Sequence, residues 1–184
     1  MASPAPDDLP FRAAVARDLV DASLLRGDFV LRSGQRSAYY FDKYLFETQP
    51  SILGRVARLL AWMLPARVDR LAGPELGAVA LAAAVSLETG LPFVIVRKGA
   101  KQHGASAGKV IEGILKPGER VVVLEDVLTT GGEAIRAARQ LRELGAQVEL
   151  VLGVVDRGEG ALEKLAAAGF PARALFGPAD LGIG

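Results

Sequence analysis

The chain contains no cysteine, so disulfides and thiolate chemistry are both excluded. Histidine occurs once, and one histidine without cysteine is too small a ligand set for a dedicated zinc site. No apolar run approaches the length needed to span a bilayer. The opening Met-Ala-Ser-Pro-Ala-Pro-Asp-Asp lacks the basic and apolar regions of a secretory signal. These absences lead to the expectation of a cytoplasmic protein with no membrane attachment. Net charge is only +1, which gives no general attraction to nucleic acid or to an anionic surface, so any basic site has to be local. Lysine is scarce too: there are six, and three of them are Lys98, Lys101 and Lys109.

What is present describes a globular chain. Its 184 residues, 51% hydrophobic and 23% charged, suit a single domain over residues 1–184 that can bury a real core. The most informative stretch is Glu125-Asp126-Val127-Leu128-Thr129-Thr130-Gly131-Gly132-Glu133. It follows Val121 to Leu124, an aliphatic run that reads as a buried parallel strand. It precedes Ala134 to Leu144, where Ile135, Ala138 and Leu141 fall opposite Arg136, Arg139 and Arg142 on a helix. The pattern therefore predicts two acids at the carboxyl end of a strand and a hydroxyl- and glycine-rich turn that opens a helix. In an open α/β sheet that is where ligands bind.

Free N–H groups at a helix N-terminus, joined by two threonine hydroxyls, suit a phosphate. The acids would repel that phosphate, so they are placed to accept hydrogen bonds from sugar hydroxyls or to sit near a metal. A sugar phosphate satisfies both halves of the loop. The kinase-type GxxxxGK[ST] loop is excluded because Glu133 follows Gly132, and the dinucleotide fingerprint GxGxxG has no match here. Simple helix capping would need one Ser, Thr, Asp or Asn, and it leaves the adjacent acids without a reason.

Around this loop, strands and helices alternate. Leu9 to Leu25 reads as an amphipathic helix, and Phe29 to Leu31 with Ala38 to Phe41 as a hairpin about Ser33-Gly34-Gln35-Arg36. Ser51 to Leu64 is a second helix closed by Pro65. Leu71-Ala72 leads into the turn Gly73-Pro74-Glu75-Leu76-Gly77, an alanine-rich helix to Glu88, and a strand over Phe93 to Val96. Beyond the central helix, Gly145 acts as a C-cap. A strand over Gln147 to Val155, a helix over Ala161 to Ala168 and a strand over Arg173 to Phe176 complete the chain. The alternation predicts an α/β fold with a doubly wound, mainly parallel sheet. About 66–176 would form its core, with about 9–45 as a small N-terminal hood of helix and short strands.

A second signal is Arg97-Lys98-Gly99-Ala100-Lys101-Gln102-His103-Gly104, which continues through a glycine-rich stretch to Lys109. A charge run is usually a solvated loop. This one directly follows a buried strand and carries the only histidine, which titrates near neutrality. A basic lid over about 98–112, closing on a polyphosphate, would combine charge stabilisation with water exclusion.

The strand, two acids, two aliphatics and Thr-Thr-Gly-Gly resemble the phosphoribosyl-pyrophosphate (PRPP) loop of type I phosphoribosyltransferases. Arg97-Lys98-x-x-Lys101-x-His103-Gly104 ahead of Glu112-Gly113 resembles the catalytic loop of the orotate phosphoribosyltransferase family. Phe29 to Gly34 and Tyr39 to Asp42 look like that family's hood, so the resemblance covers essentially the whole chain in order. It implies transfer of ribose 5-phosphate from PRPP to orotate, giving orotidine 5′-monophosphate and pyrophosphate in pyrimidine synthesis. It further implies displacement at the anomeric carbon with inversion, through an oxocarbenium-like transition state. Mg²⁺ would be the cofactor, held mainly by PRPP oxygens and water rather than by protein ligands.

By the same resemblance, Lys101, His103 and Asp126 are the catalytic candidates. Arg97, Lys98, Lys101, His103 and every residue of the loop (Glu125, Asp126, Val127, Leu128, Thr129, Thr130, Gly131, Gly132 and Glu133) would bind PRPP. Thr129, Arg157, Tyr40, Phe41 and Arg32 would bind orotate, with the Arg157 guanidinium as a planar fork for its carboxylate. The two aromatics could equally be core residues on alternating strand faces. Arg32 stands where the family carries lysine, and the turn at Glu75-Leu76 departs from a form with lysine or threonine there. A homodimer with shared sites is implied, Arg97 and Lys101 reaching into the neighbouring subunit. Two other readings share the PRPP loop: a purine phosphoribosyltransferase, which would not require Arg157 or the hood, and a nucleic-acid-binding regulator, which would require a basic face and a decayed lid.

Overall fold

The computed structural model describes residues 9–30, 34, 36–99 and 109–183. In chain order, helix α1 (Leu9–Ser23) leads into an antiparallel hairpin, β1 (Leu24–Val30) and β2 (Arg36–Phe41), and the short helix α2 (Lys43–Glu47). Then follow α3 (Pro50–Met63), β3 (Arg70–Pro74), α4 (Gly77–Thr89), β4 (Phe93–Val96) and β5 (Ile111–Glu112). The remaining elements are β6 (Arg120–Leu128), α5 (Gly132–Glu143), β7 (Gln147–Asp156), α6 (Ala161–Ala167), β8 (Ala172–Phe176) and α7 (Pro178–Leu181).

Six strands form one sheet in the order β5-β4-β3-β6-β7-β8, every pairing parallel except the edge pair β4–β5. Side chains alternate across β6, and its aliphatic run feeds two cores. Val122 and Leu124 join α1, α3 and α4 on one face, whereas Val121 and Val123 join α5 and α6 on the other. Burial on both faces explains why the run is uniformly aliphatic. The expected α/β fold with a mainly parallel sheet and an N-terminal helix and hairpin is therefore present.

Several boundaries differ from expectation. Strand β6 continues through both acids to Leu128, because β7 stays paired with it as far as Leu128↔Asp156. The acids thus lie within the strand and not beyond it. The far end of the expected lid forms β5, where Ile111 and Glu112 pair with Val96 and Ile95. Helices α2 and α7, of five and four residues, had no periodic signal long enough to find. β1 starts at Leu24, where the N-terminal helix had been expected to continue to Leu25.

From β3 the chain proceeds to β4 on one side, and from β6 to β7 on the other, so the topological switch point lies between β3 and β6. Two bidentate ion pairs clamp these strands at their amino ends. Arg70 meets Glu119 at 2.7 and 2.8 Å, and Arg120 meets Asp69 at 2.7 and 2.8 Å. The Arg70 hydrogen bond holds Glu119 down at about 2, and the hydrogen bonds from Arg120 hold Asp69 well below the usual carboxylate range.

At the opposite end, α4 approaches β3 so closely that Gly73 has no room for a side chain. A Cβ there would lie 2.6 Å from the Ala78 carbonyl oxygen and 2.9 Å from the Ala82 Cβ. Gly73→Ala is expected to destabilise the protein by about 1–3 kcal/mol through overpacking. Chemical denaturation should show a lower midpoint with an unchanged slope; an unchanged midpoint would contradict this account.

Candidate active site

A pocket of about 450 Å³ opens where the carboxyl ends of β3 and β6 meet. Its walls come from three directions: the turn Pro74–Gly77 after β3, the segment Glu125–Ala134 from β6 into α5, and residues 40–44 between β2 and α2. Lys98 and Arg157 complete the lining. The switch point opens this crevice because the connections leave β3 and β6 in opposite directions.

One end of the pocket is built from backbone. Gly131 occupies the N-cap of α5 with φ 76°, and no side chain caps the helix there. The first N–H groups of a 12-residue helix are therefore free for an anion, and its dipole favours one. A Cβ on Gly131 would also press on Ala161, 3.1 Å from its carbonyl oxygen. Thr129 is half-buried and Thr130 exposed beside this turn. Glu133 opens α5, and Arg136 pairs with it at 3.1 Å while also donating to the Arg97 carbonyl at 2.9 Å.

The two acids have different surroundings. Asp126, 2% exposed, accepts from the Lys43 ammonium at 2.5 Å and from the Val127 N–H at 2.6 Å. Glu125 is half-buried, and its Oε2 is occluded without a hydrogen-bond partner. Burial, followed by the charge of Asp126, pushes the Glu125 carboxyl up to about 8. A third acid belongs to this cluster. Glu47, one helical turn from Lys43 on α2, is 5% exposed, and its Oε1 has no partner. Burial and then the Asp126 charge raise it to about 8. Desolvation alone would lower the Lys43 pKa, but the charge and hydrogen bond of Asp126 outweigh it and leave it raised.

At the opposite wall, Tyr40 is 43% exposed and packs 5.8 Å, centroid to centroid, from Phe29. Phe41 is a core residue, 6% exposed and 6.2 Å from the Phe46 ring, that meets the pocket only as part of its wall. The strand alternation thus presents Tyr40 and withdraws Phe41. The Arg157 guanidinium lies 5.4 Å from the Tyr39 ring centroid. Its Nε is 3.1 Å from Glu159 Oε1 but lacks the alignment of a hydrogen bond. Backbone pairing of Arg157 N–H with the Leu128 carbonyl, at 2.9 Å, ties this residue to the end of β6.

On the turn after β3, the Glu75–Leu76 peptide is cis, and the Glu75 carboxylate accepts from the Lys98 N–H at 2.7 Å. Arg97 lies 3.8 Å from Glu75 and 3.4 Å from Glu112, and it is not among the pocket's described lining residues. Arg32, Lys101 and His103 lie outside the described residues, as does the lid from 100 to 108.

Of the expected site residues within the described part, the structure brings the 125–133 loop, Tyr40, Phe41, Lys98 and Arg157 around one space, and leaves Arg97 outside its lining. Sequence reasoning missed Lys43 and Glu47. The available signal was Phe41-Asp42-Lys43, a rare lysine directly after the aromatic strand, with Glu47 four residues later. Asp42 caps α2 by accepting from the Tyr44 N–H, and so fixes where that lysine points.

Residues 46–170 match the family model described as the phosphoribosyl transferase domain. An orotate phosphoribosyltransferase of Methanocella arvoryzae is 46% identical over 155 residues, covering 84% of this chain and 87% of its own length. The crystal structure of orotate phosphoribosyltransferase from Mycobacterium tuberculosis with Fe(III) dicitrate superposes with a TM-score of 0.84 at 34% identity, covering 95% of this chain and 100% of that one. The same enzyme in complex with PRPP gives 0.81 at 32% identity, with the same coverage. With the pocket at the switch point and the acid-threonine-glycine loop at its centre, these likenesses establish that the chain belongs to the orotate phosphoribosyltransferase family of phosphoribosyl transferase domains.

Proposed function

We propose that the chain transfers the 5-phosphoribosyl group of PRPP to orotate, releasing pyrophosphate and forming orotidine 5′-monophosphate. The observation that supports this reading is the pocket itself, whose described lining joins the Thr129–Gly132 turn and the acids Glu125 and Asp126 to one guanidinium, that of Arg157. The 5′-phosphate would rest on the α5 N-terminus and the Thr129 and Thr130 hydroxyls. The ribose hydroxyls would donate to Asp126 and Glu125. Orotate would stack beside Tyr40 with its carboxylate on Arg157, leaving the Glu75–Gly77 side for pyrophosphate. A purine has no carboxylate for Arg157.

This arrangement does little covalent chemistry. It aligns the base nitrogen with the anomeric carbon, stabilises the departing charge with cations, and excludes water on closure. Lys98 stands at the pyrophosphate side, and Lys101 and His103 are proposed to join it. Mg²⁺ fits the donor set. Glu125 and Asp126 offer carboxylate oxygens, one of them unpartnered. An ion arriving on PRPP and keeping its waters suits such a site, where it would neutralise the polyphosphate. We further infer a cytoplasmic homodimer with Arg97 and Lys101 serving the partner's site. The pairing of Arg97 with Glu75 and Glu112, beside the pocket rather than in it, supports that role. Among the described residues no helix is long and apolar enough to cross a membrane.

The direct test is ultraviolet absorbance with PRPP, Mg²⁺ and each of orotate, uracil, adenine and hypoxanthine. Only orotate should be consumed, and consumption of a purine instead would reject the assignment. Arg157→Ala should raise the KM for orotate roughly ten- to a hundredfold, the loss expected for charge-assisted hydrogen bonds, with the KM for PRPP nearly unchanged.

Glu125 supplies a pH dependence with a definite sign. Its carboxyl titrates at about 8 in the free pocket, so it is mostly protonated at neutral pH. Hydroxyl donors and a cation would favour the carboxylate, lowering its pKa in the complex. Binding of PRPP with Mg²⁺ should then release protons, and affinity should climb as pH rises toward about 8. Calorimetry in buffers of different ionisation heat measures this release, which Glu125→Gln should abolish; a wild-type protein that releases none contradicts it.

Sharing of sites predicts that inactive Lys101→Ala and inactive Asp126→Asn regain activity when mixed, through hybrid dimers. Absence of recovery after demonstrated subunit exchange would show that each site is self-contained.

A further inference from the structure

Lys43 is the one described side chain that joins the hood directly to the acids of the central loop by an ion pair. Its ammonium sits 2.5 Å from Asp126 Oδ2, in the position where a ribose hydroxyl would have to donate. It also lies against Gly77, the first residue of α4: a Cβ added there would overlap both the Lys43 ammonium and the Asp126 carboxylate. The α4 N-terminus has no side-chain cap, and its dipole disfavours a cation. An ammonium is tolerated there because Asp126 balances it.

If Asp126 turns to the ribose, that balance ends. Lys43 would be left as a charge with 70% of its side chain covered, the 30% that remains exposed being accessible from the pocket it lines. Of the acids beside it in the hood, Glu47 is buried and held largely protonated, and Asp42 is engaged as the cap of α2, accepting from the Tyr44 N–H. The nearest new anion is the diphosphate of PRPP, which the proposed pose sets on the Glu75–Gly77 side, within reach of a four-carbon stem.

We propose that Lys43 is a further substrate-binding residue: it rests on Asp126 in the empty pocket and passes to the diphosphate of PRPP when the ribose takes its place. The exchange couples sugar recognition to leaving-group recognition, and it does so through the hood, because Asp42 caps α2 and so orients the lysine. A diphosphate without a ribose would find the lysine held by Asp126. A ribose without a diphosphate would have to displace the lysine and strand it. The inference rests on the PRPP-binding reading of the pocket but not on the identity of the base.

The test compares PRPP with ribose 5-phosphate, which lacks the diphosphate, by calorimetry in Mg²⁺ on the full chain. In Lys43→Met, PRPP affinity should fall at least about tenfold, as for a lost charge-assisted bond. Ribose 5-phosphate affinity should hold or improve, because Asp126 is released. Lys43→Arg should recover most of the PRPP affinity. Equal losses for both ligands would assign Lys43 a structural role only, and unchanged or tighter PRPP binding would make it merely a plug; either result overturns the proposal. Should Lys43→Met fail to fold, as judged by circular dichroism, Lys43→Gln carries the same comparison with a neutral donor left on Asp126. Failure of the wild-type protein to bind PRPP at all would reject the pocket assignment itself, whereas binding of PRPP without orotate turnover would reject only the base.

Discussion

The parallel pairing of β3 with β6 is the constraint on which the rest depends. Because the chain leaves these neighbours in opposite directions, no connection covers their carboxyl ends, and a crevice opens there. The turn after β3, the acids within β6 and the α5 N-terminus all belong to that pair, and residues 40–44, Lys98 and Arg157 close around them. The Arg70–Glu119 and Arg120–Asp69 forks hold the same two strands at the other end. One end is locked by side chains, and the other is left to a ligand.

The crevice concentrates negative charge. Asp126, Glu125 and Glu47 are drawn together with the Lys43 ammonium paired to Asp126, and burial holds two of the three acids protonated near neutrality. A buried ion pair of this kind contributes little net stability, since desolvation offsets most of its attraction. Its significance is readiness. The cluster has unpartnered oxygens on Glu125 and Glu47 and a lysine beside a helix N-terminus, so a ligand bringing hydroxyls and phosphates would satisfy groups that the protein alone leaves wanting.

Much of this was legible in the chain. The Val121–Leu124 run is buried on both faces, which only a central strand of a covered sheet requires, and the Thr129–Gly132 run opens α5 as its hydroxyls and glycines predict. What escaped has identifiable causes. Helix α2 is too short to show a period, so Lys43 and Glu47 had no face to which they could be assigned. Helix α4 is apolar nearly all round, which hides its orientation from a periodicity argument, and the close approaches at Gly73 and Gly77 emerge only in the fold. Tyr40 and Phe41, adjacent and similar, both line the pocket and were separable only once the pleat exposed one and buried the other against Phe46.

By itself, the amino-acid sequence determined the order and kind of the main elements and the chemistry of the central loop. Those depend on local spacing: aliphatic runs, helical periods, and acids next to hydroxyls and glycines. Tertiary structure alone decided the company each side chain keeps. Asp126 meets a lysine 83 positions earlier in the chain, and Arg157 comes beside Tyr39, because the sheet brings distant segments to one edge. Charge balance and burial are properties of that meeting, and no window along the chain contains them.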